Sequence, residues 1–160
     1  MKILFLSSWY PYPSDNGSKI RVLNLVRHLA KRHAVVFGSF AFGTAAPDEA
    51  DELHQMCRSV HVVFQNPIQQ AHMGTVRTFL SLTPSASRSA SEMHALARRI
   101  INTDHYDAVI VSTMTMSAYA LGVPGAKIIE EHNSLSRWMH ERLLAQTAPL
   151  QPARCWVSWP

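Results

Sequence analysis

Short, unbroken apolar runs alternate along this chain with stretches whose apolar residues recur at helical spacing, and that alternation leaves few folds open. Lys2–Ser7 is apolar on successive residues, the pattern of a strand covered on both faces in a parallel sheet. The segment that follows, from Ser8 to Ser18, is turn-rich, and Pro11 and Pro13 exclude regular helix from it. From Ser18 to Arg32 the period becomes helical. Val22, Val26 and Leu29 form one face, and Arg21, Asn24, His28 and Lys31 form another. Lys31, Arg32 and His33 then fall where the helix macrodipole favours cations.

The same reading predicts further strands at Val35–Phe40, Ser59–Phe64, Asp107–Ser112 and Lys127–Glu131. Helices are expected at Pro47–Met56, Ile68–Leu82, Ser87–Asn102 and Thr115–Leu121, with a last one capped by Asn133 or Ser134 and running through Leu144. In the Ser87–Asn102 stretch Ala90, Met93, Ala97 and Ile100 carry the apolar face. Strands that alternate with helices imply a parallel sheet, so the expectation is a single doubly wound, Rossmann-like α/β domain with strand order 3-2-1-4-5. Ligands of such sheets sit outside the carboxyl ends of the strands, near the switch point. Here those ends are Ser7-Ser8-Trp9, Ser112-Thr113-Met114 and Glu131-His132-Asn133.

Several function classes fall away. The longest apolar runs stop far short of the roughly 20 residues that cross a bilayer. The apolar start breaks at Ser7, below the roughly 7 to 15 residues of a signal h-region, so a cytoplasmic protein is expected. Cys57 and Cys155 have neither metal-ligand spacing nor a disulfide framework. The net charge of +4 comes from scattered Lys and Arg without the dense run that nucleic acid requires. No two of the 9 histidines stand in a zinc-binding pair on one helix, and no metal site is expected. The chain also lacks a nucleophile elbow, a P-loop and a dinucleotide fingerprint.

Two places remain as candidates. In Asp15-Asn16-Gly17-Ser18-Lys19, a glycine precedes the exposed amides of a helix N-terminus, which makes an anion site. The plain alternative is a turn with Ser18 as N-cap. The second place is Glu130-Glu131-His132-Asn133, where a strand-end His can donate a hydrogen bond to a sugar hydroxyl or phosphate. Glu130 and Glu131 are adjacent on a strand and point to opposite faces, which excludes an acid pair acting on one substrate. Met114 and Met116 either line the rim or belong to the core.

The opening, Met-Lys-Ile-Leu-Phe-Leu-Ser-Ser-Trp-Tyr-Pro-Tyr-Pro-Ser-Asp-Asn-Gly-Ser-Lys-Ile-Arg-Val-Leu-Asn-Leu-Val-Arg-His-Leu-Ala, resembles the N-terminal domains of glycosyltransferase family 4. The resemblance resumes at Tyr106-Asp107-Ala108-Val109-Ile110 and at Ile129-Glu130-Glu131-His132-Asn133. It implies one half of a GT-B architecture, in which the first domain holds a saccharide or lipid-linked acceptor and a second binds the nucleotide sugar. The donor is a co-substrate, and no other cofactor is implied. The family's glycine-loop role beside the donor diphosphate falls on Gly17, with Ser18 at its second glycine and offering a hydroxyl instead. The strand-end His that contacts the transferred sugar falls on His132, the catalytic candidate. Lys19, Arg21 and Asn133 fall on the substrate side. The family is largely retaining and metal-independent, so no covalent nucleophile is assigned. A lipid-linked acceptor would bring peripheral contact with the inner face of a membrane.

The resemblance further implies a donor domain with a paired-glutamate motif, which these 160 residues do not contain. The chain is therefore expected not to transfer sugar by itself. The rival readings are a non-catalytic module that binds an acceptor or a partner, and an unrelated small-molecule-binding Rossmann protein.

Overall fold

The computed structural model describes residues 1–43, 52–66, 91–131 and 141. Among these, five strands form one all-parallel sheet in the order β3-β2-β1-β4-β5. The strands are β1 (Lys2–Ser7), β2 (Ala34–Ala41), β3 (Ser59–Phe64), β4 (Ala108–Ser112) and β5 (Ala126–Glu130). Between them lie α1 (Gly17–Ala30), α2 (Glu52–Met56), α3 (Ser91–Thr103), a 3-10 turn (Met114–Met116) and α4 (Ser117–Ala120). The fold is the expected doubly wound, Rossmann-like α/β domain. The helix expected at Ile68–Leu82, residues 47–51 and 87–90 of two others, and all but residue 141 of the one expected beyond Asn133 lie outside the described residues.

β1 is the centre of this sheet because its side chains are buried on both faces. Leu4 and Leu6 join Val36, Phe40, Val109 and Val111, and Met93, Ala97 and Ile100 of α3 cover them together with Tyr119 and Ala120 of α4. On the opposite face Phe5, Val35 and Phe37 meet Val22, Leu23 and Val26 of α1 and Leu53 of α2. Phe5 and Phe37 pair in register, and their rings stack with centroids 5.8 Å apart. The α1 face differs slightly from the expected one: Leu23 is buried with Val22 and Val26, while Leu29 is half-buried. Cys57 is a free thiol in the α1-side core, and burial pushes its pKa up to about 12. No helix among the described residues is long and apolar enough to cross a membrane.

The amino ends of the strands are closed by ionic contacts. The Lys2 ammonium pairs with Asp104 and lies over the Tyr106 ring, 5.4 Å from its centroid, and the Lys2 amide donates to Asp107 Oδ2 at 2.6 Å. The turn into β5 passes close to this region. Gly125 has φ +96°, and a Cβ there would stand 2.9 Å from the Tyr106 carbonyl oxygen, so both backbone angle and space require glycine.

Candidate functional site

At the carboxyl ends, β1 runs straight into a loop that its last residues fold back. Ser7 Oγ donates to the Trp9 carbonyl at 2.9 Å, and the Trp9 amide lies 3.1 Å from the same Oγ. The loop ends at Asn16, whose backbone is extended and whose Oδ1 accepts from the Lys19 amide at 3.0 Å. Asn16 is thus the N-cap of α1, and the expectation of Ser18 in that role is corrected. The helix starts at Gly17, so Ser18 already lies within its first turn, where its own backbone is helical. That also removes any need for a left-handed backbone at Ser18. Gly17 is exposed, and a Cβ there would meet nothing within 4 Å. Neither backbone angle nor packing within the described chain demands glycine at this position.

Lys19 is turned inward. Its side chain is buried and its ammonium pairs with Asp15 Oδ1 at 2.9 Å, and that hydrogen bond holds the Asp15 carboxyl below the usual carboxylate range. Arg21, two residues further on, reaches across the sheet to the end of β5 and pairs through Nε with Glu130 Oε1. Ser112 Oγ donates to the other Glu130 oxygen at 3.2 Å. Glu131 goes elsewhere, its Oε2 accepting from the Met114 amide at 2.9 Å. The two acids serve different neighbours: Glu130 ends β5, and Glu131 lies just beyond it. The Arg21–Glu130 pair also brings the second turn of α1 and the carboxyl end of β5 to the same rim. His132 and Asn133 lie outside the described residues.

The switch point lies between β1 and β4, and three hydroxyls meet there. Ser8 Oγ stands 2.8 Å from Thr113 Oγ1 and 3.1 Å from Thr115 Oγ1, and the two threonine oxygens are 2.8 Å apart. Thr113 has φ 78° and ψ 146°, a conformation that side-chain-bearing residues rarely adopt. Its amide donates to the Glu130 carbonyl at 2.9 Å, which ties the strained residue to β5. Ser7, Ser39 and Ser112 share one register on β1, β2 and β4, so the last layer of the sheet beneath α1 is polar. Ser39 Oγ is fully buried with no hydrogen-bond partner. On the β2 side of the loop, Trp9 packs its ring against Phe42, centroids 5.1 Å apart. Met116 is core and Met114 is exposed at the rim.

The hydroxyl cluster and the Trp9–Phe42 pair were not singled out from the sequence, although Ser8, Trp9 and Thr113 fall within the strand ends it nominated. The residues touch only because β1 and β4, over a hundred residues apart, are neighbours. The loop is braced from behind by α2. Arg27 donates through Nε and Nη2 to the two Glu52 oxygens, each at 2.7 Å, and the Tyr12 hydroxyl donates to Glu52 at 3.3 Å. Among the described residues no group of three His, Cys, Asp or Glu side chains gathers to hold a metal ion. Compared with protein-family models, curated proteins and solved structures, the chain matches none.

Proposed function

We propose that this domain is the acceptor-side half of a nucleotide-sugar-dependent glycosyltransferase of the GT-B kind, working in polysaccharide or glycoconjugate assembly. The observation that carries the reading is the uncluttered N-terminus of α1. Gly17 leaves open space at the first helical residue, beside the dipole's positive end, at the rim where β1 and β4 diverge. A departing diphosphate is the charge that such a terminus stabilises best. In this reading Gly17 and Ser18 approach the diphosphate, and His132 donates a hydrogen bond to the transferred sugar that strengthens as the bond to phosphate breaks. Transfer is retaining and needs no metal ion. Arg21 pairs with Glu130 through Nε and lies on the substrate side of this rim.

The test is sugar transfer from nucleotide hexoses, measured on the 160-residue chain and on a version fused to the donor domain of a GT-B glycosyltransferase. The chain alone is expected to give no turnover, and the extended protein to transfer sugar. In the extended protein His132→Ala is expected to lower kcat by about 10²-fold, the size of losing one preorganised donor, with melting temperature unchanged. Turnover by the chain alone, or an extended protein that neither binds nor transfers a nucleotide sugar, sinks the reading. The latter outcome leaves the non-catalytic binding module in its place.

A further inference from the structure

Thr113 holds a backbone conformation that its own side chain opposes. Its φ of 78° with ψ 146° lies in a region that glycine takes freely, and a branched Cβ makes the steric conflict worse. Among the described residues Thr113 is the one non-glycine at positive φ. Such a conformation persists only where its surroundings fix it more firmly than the strain pushes. Here three neighbours fix it. The Thr113 amide donates to the Glu130 carbonyl at 2.9 Å, which ties the start of the residue to β5. The Met114 amide, just after it, donates to Glu131 Oε2 at 2.9 Å, which ties its end to the residue following β5. Thr113 Oγ1 stands 2.8 Å from both Ser8 Oγ and Thr115 Oγ1, so a hydroxyl ring holds the side chain to the loop after β1. The outlying angle is a rotation about the N–Cα bond. With the amide fixed on Glu130, a return to negative φ turns the Thr113 side chain and the Met114 amide together. The bond to Glu130 lies on the near side of that rotation and does not oppose it. The contacts with Ser8 and Glu131 do. Ser8 is buried and Glu131 is exposed, so of the two restraints the Glu131 bond is the one that a ligand can reach. The turn stands at the carboxyl end of β4 beside β1, where ligands of doubly wound sheets enter.

We propose that Glu131 is a latch on this turn. Its carboxylate holds Thr113 in the strained conformation, and withdrawing it lets Thr113 return to negative φ, which takes the Thr113 hydroxyl out of the ring with Ser8 and Thr115. One surface contact thereby sets the arrangement of hydroxyls at the switch point. A ligand that donates hydrogen bonds to the Glu131 carboxylate favours the relaxed turn, and one that bonds to the hydroxyl ring as it stands favours the latched turn. The device is independent of which reaction the domain serves.

The experiment combines thermal melts with NMR on the 160-residue chain. Thr113→Ala and Thr113→Gly both remove Oγ1, but only glycine accepts this φ without strain. At an ordinary position the glycine variant is the less stable of the two. Here Thr113→Gly is expected to melt several degrees above Thr113→Ala. The latch is read from the HN–Hα coupling and the carbon chemical shifts of Thr113, which report its φ. Glu131→Ala is expected to move them to values of negative φ in most molecules. Glu131→Gln keeps an oxygen acceptor for the Met114 amide and is expected to leave them as in the parent. A Glu131 that only adds stability would lower Tm in Glu131→Ala without moving the φ of Thr113. Glu131 is exposed, so its truncation leaves the core intact. Thr113→Gly melting at or below Thr113→Ala overturns the strain, and a Thr113 that keeps positive φ in Glu131→Ala overturns the latch.

Discussion

Gly17 and Gly125 both stand at the ends of elements, yet they answer to different constraints. Gly125 sits at φ +96° with the Tyr106 carbonyl 2.9 Å from where a Cβ would go. Gly125→Ala is expected to cost roughly 1–3 kcal/mol, read as a fall in Tm of several degrees. Gly17 has neither constraint, so Gly17→Ala and even Gly17→Trp should leave Tm within about 2 °C of the parent, a small fraction of a kcal/mol-scale effect. Under the proposed function Gly17→Trp still abolishes anion binding. A fall in Tm as large as that of Gly125→Ala would mean that Gly17 is there for the fold. This contrast was only half legible. The sequence pointed at Gly17, but Asp15, Asn16 and Ser18 are all good helix caps, and nothing local chooses among them. The structure puts the cap on Asn16 because the helix starts one residue earlier than its apolar period suggests. The hydroxyl ring was hidden for a different reason: its members come from strand ends that only the pairing of β1 with β4 brings together.

The first three strands were the most readable elements. β1 and β3 have the bounds that their apolar runs indicate, and β2 gains one residue at each end. The short stretch after β4 was less readable, because after the strained Thr113 it forms a 3-10 turn over Met114–Met116 and only then α4. β5 begins and ends one residue before its expected bounds, which leaves Glu131 free to cap Met114 instead of continuing the strand. Contacts between elements left no trace in the pattern at all. The Arg27–Glu52 fork that joins α1 to α2, and Tyr12 to both, is an example. The hydrogen bond from Arg27 is the main reason that the Glu52 carboxyl lies below its ordinary value of 4.5. A carboxylate with a depressed pKa stabilises the fold above the unfolded value and loses that contribution as pH falls through the folded one. The brace should therefore be intact at neutral pH and weaken below about 4.5. Glu52→Gln is expected to lower Tm above about pH 6 and to flatten its decline between about pH 5 and pH 3, a window set by ordinary carboxylate titration. An unchanged acid limb in thermal melts would show that the fork contributes nothing. Asp15 and Asp104 shift in the same direction and add to the slope.

At the scale of the whole molecule, burial falls away towards β5. β1 and β4 are enclosed by helices, whereas Ile128 and Ile129, on opposite faces of β5, are 49% and 51% exposed. Amides with few buried neighbours open at the lowest free energy. Hydrogen exchange should therefore be slowest at Leu4–Leu6 and Val109–Val111, and faster by orders of magnitude along β5. Equal protection across the sheet would contradict that gradient. The strand order was legible because alternating elements allow few topologies, while the exposure of β5 was not, since Lys-Ile-Ile reads as apolar whether or not anything covers it. The central position of β1 also has a consequence for how the protein is made. Of the five described strands, the earliest to be synthesised is the one that must end in the middle, and its β4 neighbour begins at Ala108, opposite Ile3. At about 5–20 residues per second, one edge of that strand waits about 5–20 s for its partner. During that interval the nascent chain exposes the unpaired backbone beside Leu4 and Leu6, the stretch that a chaperone would be called on to shield.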